Sequence, residues 1–167
     1  MKVKIVTQYR STLILLALFI TGCATQLAPK YDAALFDGLT NTNVKIMELF
    51  ASVAGGTENT TFQKREKSYN AVIGSIDALA LQSRARPMPE NSVIVKVNEY
   101  MVSRGMGPLT GDVAPSANSL EQISKQLVKM KEVDSSSGLN APVVAIFKNA
   151  VIISMDQAVT YESFLDR

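Results

Sequence analysis

Apolar stripes at alternating spacings of three and four residues constrain this chain more than any other feature. The first is Leu35, Leu39, Thr42, Ile46, Leu49 and Val53. That spacing lines one side of a helix, with Thr42 as a polar interruption, and predicts a helix over about 30–54. Gly55-Gly56 closes it, because glycine accepts the left-handed backbone on which helices often end. The second stripe is Phe62, Glu66, Tyr69, Ile73, Ile76 and Ala80, with Val72 and Leu79 beside it. It predicts a helix over about 59–84, stopped by Arg86-Pro87-Met88-Pro89, since a residue before proline avoids helical backbone. A short glycine connection between two long helices implies an antiparallel hairpin.

A second pair of stripes follows after residue 118. Ser119 and Gln122 have capping-box spacing, and Leu120, Ile123, Leu127, Met130 and Val133 continue at helical intervals up to Ser135-Ser136-Ser137-Gly138. Asn140 then caps a last helix, with Pro142 in its first turn, where the missing N–H does no harm. Val143, Phe147, Ala150, Ser154, Ala158, Tyr161 and Leu165 form its expected inner face, and Ile146, Val151 and Ile153 widen it. A helix apolar nearly all round from Val143 to Ile153 is expected to be the most buried. Residues 85–118 are less regular. Asn91 or Ser92 caps a short helix through about Arg104. The alternation Val93-Val95-Val97 also permits a strand, though it has no good partner strand. Residues 105–117 form a loop with its own apolar residues, Met106, Leu109 and Val113. The expected fold is therefore all-α: a four-helix bundle of two antiparallel helical hairpins, with an extra short helix between the hairpins.

The first 23 residues follow another logic. Lys2, Lys4 and Arg10 form a positive start, Leu13 to Ile20 is an unbroken apolar run, and Thr21-Gly22 lead into Cys23. The run falls short of the ~20 apolar residues that span a bilayer, so the pattern is that of a signal peptide. Ile20-Thr21-Gly22-Cys23 resembles the lipobox of bacterial lipoproteins. The resemblance covers residues 1–23 alone. It implies cleavage before Cys23, a diacylglyceryl group on its sulfur and an acylated amine. Stable anchoring takes two lipid signals, which such a modification supplies. By the enterobacterial sorting rule, Ala24 after the cysteine implies the outer membrane, on its periplasmic face. The expected organisation is a signal peptide over 1–22, a lipidated cysteine and tether over 23–29, and one helical domain over 30–167.

Composition narrows the function classes. Lys2, Lys4 and Arg10 are three of the 17 basic residues, which leaves 14 against 15 acidic ones in the mature chain. A near-neutral chain does not suit nucleic acid, which needs a concentrated basic face. The chain has no histidine, so neither Ser-His-Asp nor Cys-His catalysis is open to it. Cys23 is its one cysteine, and once lipidated it cannot form a disulfide.

Candidate sites are few. Thr42, Glu66 and Ser154 interrupt apolar stripes; the plain reading is backbone bonding for Thr42 and Ser154 and water for Glu66. The carboxylates, Glu162 among them, are scattered without a paired signature, and Lys64, Arg65 and Lys67 cluster early in the second helix. Arg84 and Arg86 should lie near the membrane, where the first helix begins, and could face lipid phosphates. Met106 and Leu109 carry the flexible apolar character of adaptable binding surfaces. No metal or cofactor is expected. The leading reading is a non-enzymatic envelope lipoprotein that binds another protein as an assembly, adaptor or protective factor. The alternative is a bundle that holds a small apolar ligand between its helices.

Overall fold

The computed structural model describes residues 28–89, 92–104 and 113–166. These residues form helices α1 (Ala33–Val53), α2 (Gln63–Arg84), α3 (Ser92–Ser103), α4 (Pro115–Ser136) and α5 (Ala141–Leu165), with a 3-10 turn at Asn59–Thr61. No strand occurs among the described residues. Four helices pack against one another: α1 lies against α2 and α5, and α4 lies against the same two. α3 takes part in none of these helix–helix contacts among the described residues.

The first stripe behaves as its spacing dictates. Leu35, Leu39, Thr42, Ile46, Leu49 and Val53 are all buried, joined by Phe50. α1 begins three residues later than its expected start at Lys30, because Asp32 caps it: the Asp32 Oδ1 accepts the Leu35 N–H at 3.1 Å. Capping of this kind satisfies a donor the helix itself cannot. In α2 the buried side chains are Tyr69, Val72, Ile76, Leu79, Ala80 and Ser83. Glu66 stays 40 % exposed on the first turn, 3.9 Å from Lys131 of α4. The close approach of α1 to α2 is set at Gly38, where an added Cβ would come within 2.7 Å of the Leu79 side chain.

Two expectations are overturned. α4 starts at Pro115, not Ser119, with Pro115 in its first turn. Proline suits that position because the first N–H groups of a helix have no internal partner. Ser119 is therefore inside the helix, and its hydroxyl donates to the Gln157 Oε1 at 3.4 Å instead of capping. The stripe itself holds: Leu120, Ile123, Leu127 and Met130 are fully buried.

α5 is the second correction. Its buried residues are Val144, Val151, Met155, Ala158 and Glu162. Val143, Phe147, Ala150, Ser154, Tyr161 and Leu165 are half-buried. The helix is turned from the expected orientation by somewhat less than one residue step of ~100°. It is not the most buried helix, since Ile146 and Ile153 are 68 % and 60 % exposed. α5 is long and apolar enough to cross a membrane by length and composition, yet here Val144, Val151, Met155 and Ala158 belong to the shared core. A helix apolar all round has no polar face to set its rotation. The packing partners set it instead, and they draw Glu162 inward.

Candidate functional site

Polar side chains reach the interior at both ends of the helices. At the entry end, residues 29–34 lead into α1 beside the end of α2. Asp32 joins the two: its Oδ2 accepts from the Gln82 side chain at 2.9 Å. Its hydrogen bonds from Leu35 and Gln82 hold the carboxyl below its ordinary value. Just past α2, Arg86 turns inward. Its Nη1 donates to the Glu162 Oε2 at 2.8 Å and its Nη2 to Oε1, a two-pronged pair whose side chains are 9 % and 0 % exposed. The same Nη2 reaches Ser83 at 3.4 Å and Ser116 at 3.3 Å, whose hydroxyls are 2.7 Å apart. This cluster pins residue 86 to α5 and α4 together. Arg86 Nε is buried with no hydrogen-bond partner among the described residues.

Beyond Arg86 the chain runs through Pro87, Met88 and Pro89. Together with residues 29–34 it walls an open groove of ≈ 740 Å³. Pro29, Tyr31, Ala33 and Ala34 form one wall, and Pro87, Met88 and Pro89 the other. Each wall is held by a polar contact: Asp32 on the first, the Arg86–Glu162 pair on the second.

At the opposite end lie the loops after α1 and after α4. Arg65 donates through Nε to the Asp134 Oδ2 at 2.8 Å and through Nη2 to Oδ1 at 2.7 Å. Its Nη1 reaches the Thr61 hydroxyl at 2.9 Å. Thr57 donates its hydroxyl to the Asp134 Oδ1 at 2.5 Å. Burial alone would raise the Asp134 carboxyl, but the hydrogen bonds from Arg65 and Thr57 outweigh it and hold the group below its ordinary value. Tyr69 is buried beside this pair, and burial first, then the Asp134 charge, suppresses ionisation of its phenol. The loops also pair through the backbone: Thr57 N–H donates to Leu139 O at 2.7 Å, and Leu139 N–H to Thr57 O at 3.2 Å.

The expected site residues fall as follows. Cys23, Met106 and Leu109 lie outside the described residues. Arg84 and Arg86 both lie at the entry end, but their roles divide. Arg84 is about half exposed and pairs with Glu121. The Arg86 guanidinium is committed to Glu162 inside the domain, so it is not presented to lipid phosphates. Glu162 was read only as one of the scattered carboxylates, and Asp134 was passed over; both are buried and paired with arginine. Glu162 continues the buried series Val151, Met155, Ala158 at helical spacing, but the rival apolar face of α5 hid that register. The space between the helices is filled by Tyr69, Phe50, Leu120, Met130 and their neighbours. No group of three His, Cys, Asp or Glu among the described residues could hold a metal ion. Comparison with family models, curated proteins and solved structures gave no match for this chain.

Proposed function

We propose that this chain is a lipoprotein of the bacterial envelope. Acyl chains on Cys23 hold it at the periplasmic face of the outer membrane. Its domain is a four-helix bundle of two antiparallel hairpins, with α3 between them, and it binds another envelope protein without catalysing a reaction. The observation that carries the binding role is α5. One of its faces joins the core, while Ile146 and Ile153, seven residues apart on the far side, are 68 % and 60 % exposed. Apolar surface gathered on one rigid helix is characteristic of an interaction face. Met106 and Leu109 are the second candidate contact. Anchoring confines the domain near its partner and raises the effective concentration.

The test is a photocrosslinking side chain placed at position 146, 153 or 106 of the lipidated protein in intact envelopes. Discrete adducts to one protein are expected from these sites. None is expected from position 77, an exposed site on α2, and Cys23→Ser should weaken them all. Equal, diffuse labelling from position 153 and position 77 would defeat the α5 contact.

A further inference from the structure

The groove at the entry end is open, walled mostly by apolar side chains and rigidly held. It is not part of the α5 face. Pro87 is exposed; Tyr31, Met88 and Pro89 are half-buried; Ala33 and Ala34 are exposed. Apolar side chains gathered at one end of a domain call for a covering partner. The chain's own course indicates which. If Cys23 carries the lipid, as the proposed function has it, the six residues from Ala24 to Pro29 span at most about 20 Å. The polar layer of each leaflet is only about 5–8 Å thick. Pro29, in the groove wall, thus stays within reach of the bilayer interface whatever the domain's tilt. The loop end has no such constraint.

The residue types agree. Tyrosine is favoured at the membrane–water boundary, where its ring is apolar and its hydroxyl wet. Charge does not decide the matter. Lys30 and Arg84 are exposed at this end, but Asp32, Asp37 and Asp166 lie close enough to act on Tyr31, and Arg86 is spent on Glu162. An anionic surface would find little net attraction here, so the contact must be apolar.

We infer that this groove is the domain's membrane-contact surface, with Tyr31, Pro87, Met88 and Pro89 seated in the lipid interface beside the anchor. The Arg86–Glu162 pair and the Asp32 cap act as positioning contacts that keep the two walls in place. The inference rests on the lipid at Cys23, and the experiment separates the two.

Lipidation occupies the one native cysteine, so Met88→Cys offers a single thiol for an environment-sensitive fluorophore. The full lipidated protein is placed in phosphatidylcholine vesicles containing a doxyl lipid with its quencher near the headgroups. A second sample carries the label at Thr60→Cys, at the loop end. The label at position 88 should lose most of its emission and the label at position 60 almost none, with no change on raising the salt concentration. If Met88→Cys melts well below wild type, Pro87→Cys, exposed at the same wall, takes its place. Vesicle-bound protein with equal emission at both positions overturns the membrane contact and leaves the anchor standing. Quenching at position 88 that disappears in salt overturns its apolar character. Failure of the wild type to carry lipid and bind vesicles overturns anchor and contact together.

Discussion

The two ends of the domain each bury an arginine against a carboxylate, but they complete the job differently. At the loop end Arg65 uses Nε, Nη1 and Nη2, and Thr57 adds a further donor to Asp134. Backbone pairing between Thr57 and Leu139 closes the same region. At the entry end Arg86 meets Glu162 through Nη1 and Nη2 while its Nε is left without a partner among the described residues. That end borders the apolar groove, whereas the cleft at the loop end is lined by Thr57, Glu58, Thr61, Arg65 and Asn140. A buried charge pair is costly unless its hydrogen bonds are completed. The loop end meets that condition and acts as a lock. The entry end meets it less fully, and its pair serves to hold a wall of the groove.

The sharpest way to break this comparison is to remove one carboxylate at a time. Asp134→Ala strands Arg65 and Thr57 and should cost about 3–5 kcal/mol, or ~6–20 °C in melting temperature, by the usual penalty for a buried charge left alone. Glu162→Ala should fall at the lower end of that range, because it strands Arg86 alone, and Arg86 keeps its contacts with Ser83 and Ser116, whereas Asp134→Ala strands Thr57 as well as Arg65. Thermal melts of the two variants check the order. A larger loss for Glu162→Ala would reverse the assignment of lock and wall.

The same contrast has a pH signature. Asp134 ionises below its ordinary value, so its stabilisation is present above the unfolded value of ~3.9 and is lost as pH falls through the lower folded value. Wild type should therefore be more stable than Asp134→Asn at neutral pH. The gap should narrow as pH falls below about 4. Denaturant melts of both proteins across that window test it, and a gap that does not vary with pH would remove Asp134 as its source.

A smaller effect is expected at the loop glycines. Gly138 has φ +75°, and an added Cβ would lie 2.3 Å from Thr57 O. Gly56 has φ +93°, with the corresponding distance 2.7 Å to Leu139 O. Both clashes fall on oxygens of the Thr57–Leu139 backbone pair, and both alanine variants should be destabilised by roughly 1–3 kcal/mol, Gly138→Ala the more, since its contact is the closer of the two. Equal melting temperatures for Gly138→Ala and wild type would mean the loops are not locked.

The smallest change should lie between the ends and go the other way. Gly74 is exposed in α2 with open space where a Cβ would sit. Gly74→Ala should stabilise by up to about 1 kcal/mol, the difference in helix propensity. A drop in melting temperature would show a constraint on the helix wall that its surroundings do not suggest.

Helix register was legible wherever one face alone was apolar. The α1 stripe was read residue for residue, and so were Leu120, Ile123, Leu127 and Met130 of α4. The caps were legible when the capping side chain stood just before the stripe: Asn140 accepts the Val143 N–H at 2.9 Å, as its position implied. The start of α4 was not. Pro115 and Ser119 both carry start signals, and choosing between them needs to know that Ala114, Ser116 and Ala117 are buried. The two ion pairs were hidden for a plainer reason. Arg65 and Asp134 are 69 residues apart and Arg86 and Glu162 are 76 apart, so no local pattern joins them.

The sequence by itself therefore determined the helices, their breaks and most of their inner faces, because those follow from short-range spacing, capping and backbone preference. It also carries the lipobox-like start, which is read locally. The rotation of α5, the inward turn of Arg86 and the groove beside it were decided by tertiary structure alone. Each depends on which of several acceptable surfaces meets a partner distant in the chain. That choice is made by packing and by completing buried hydrogen bonds, and neither is written in the spacing of neighbouring residues.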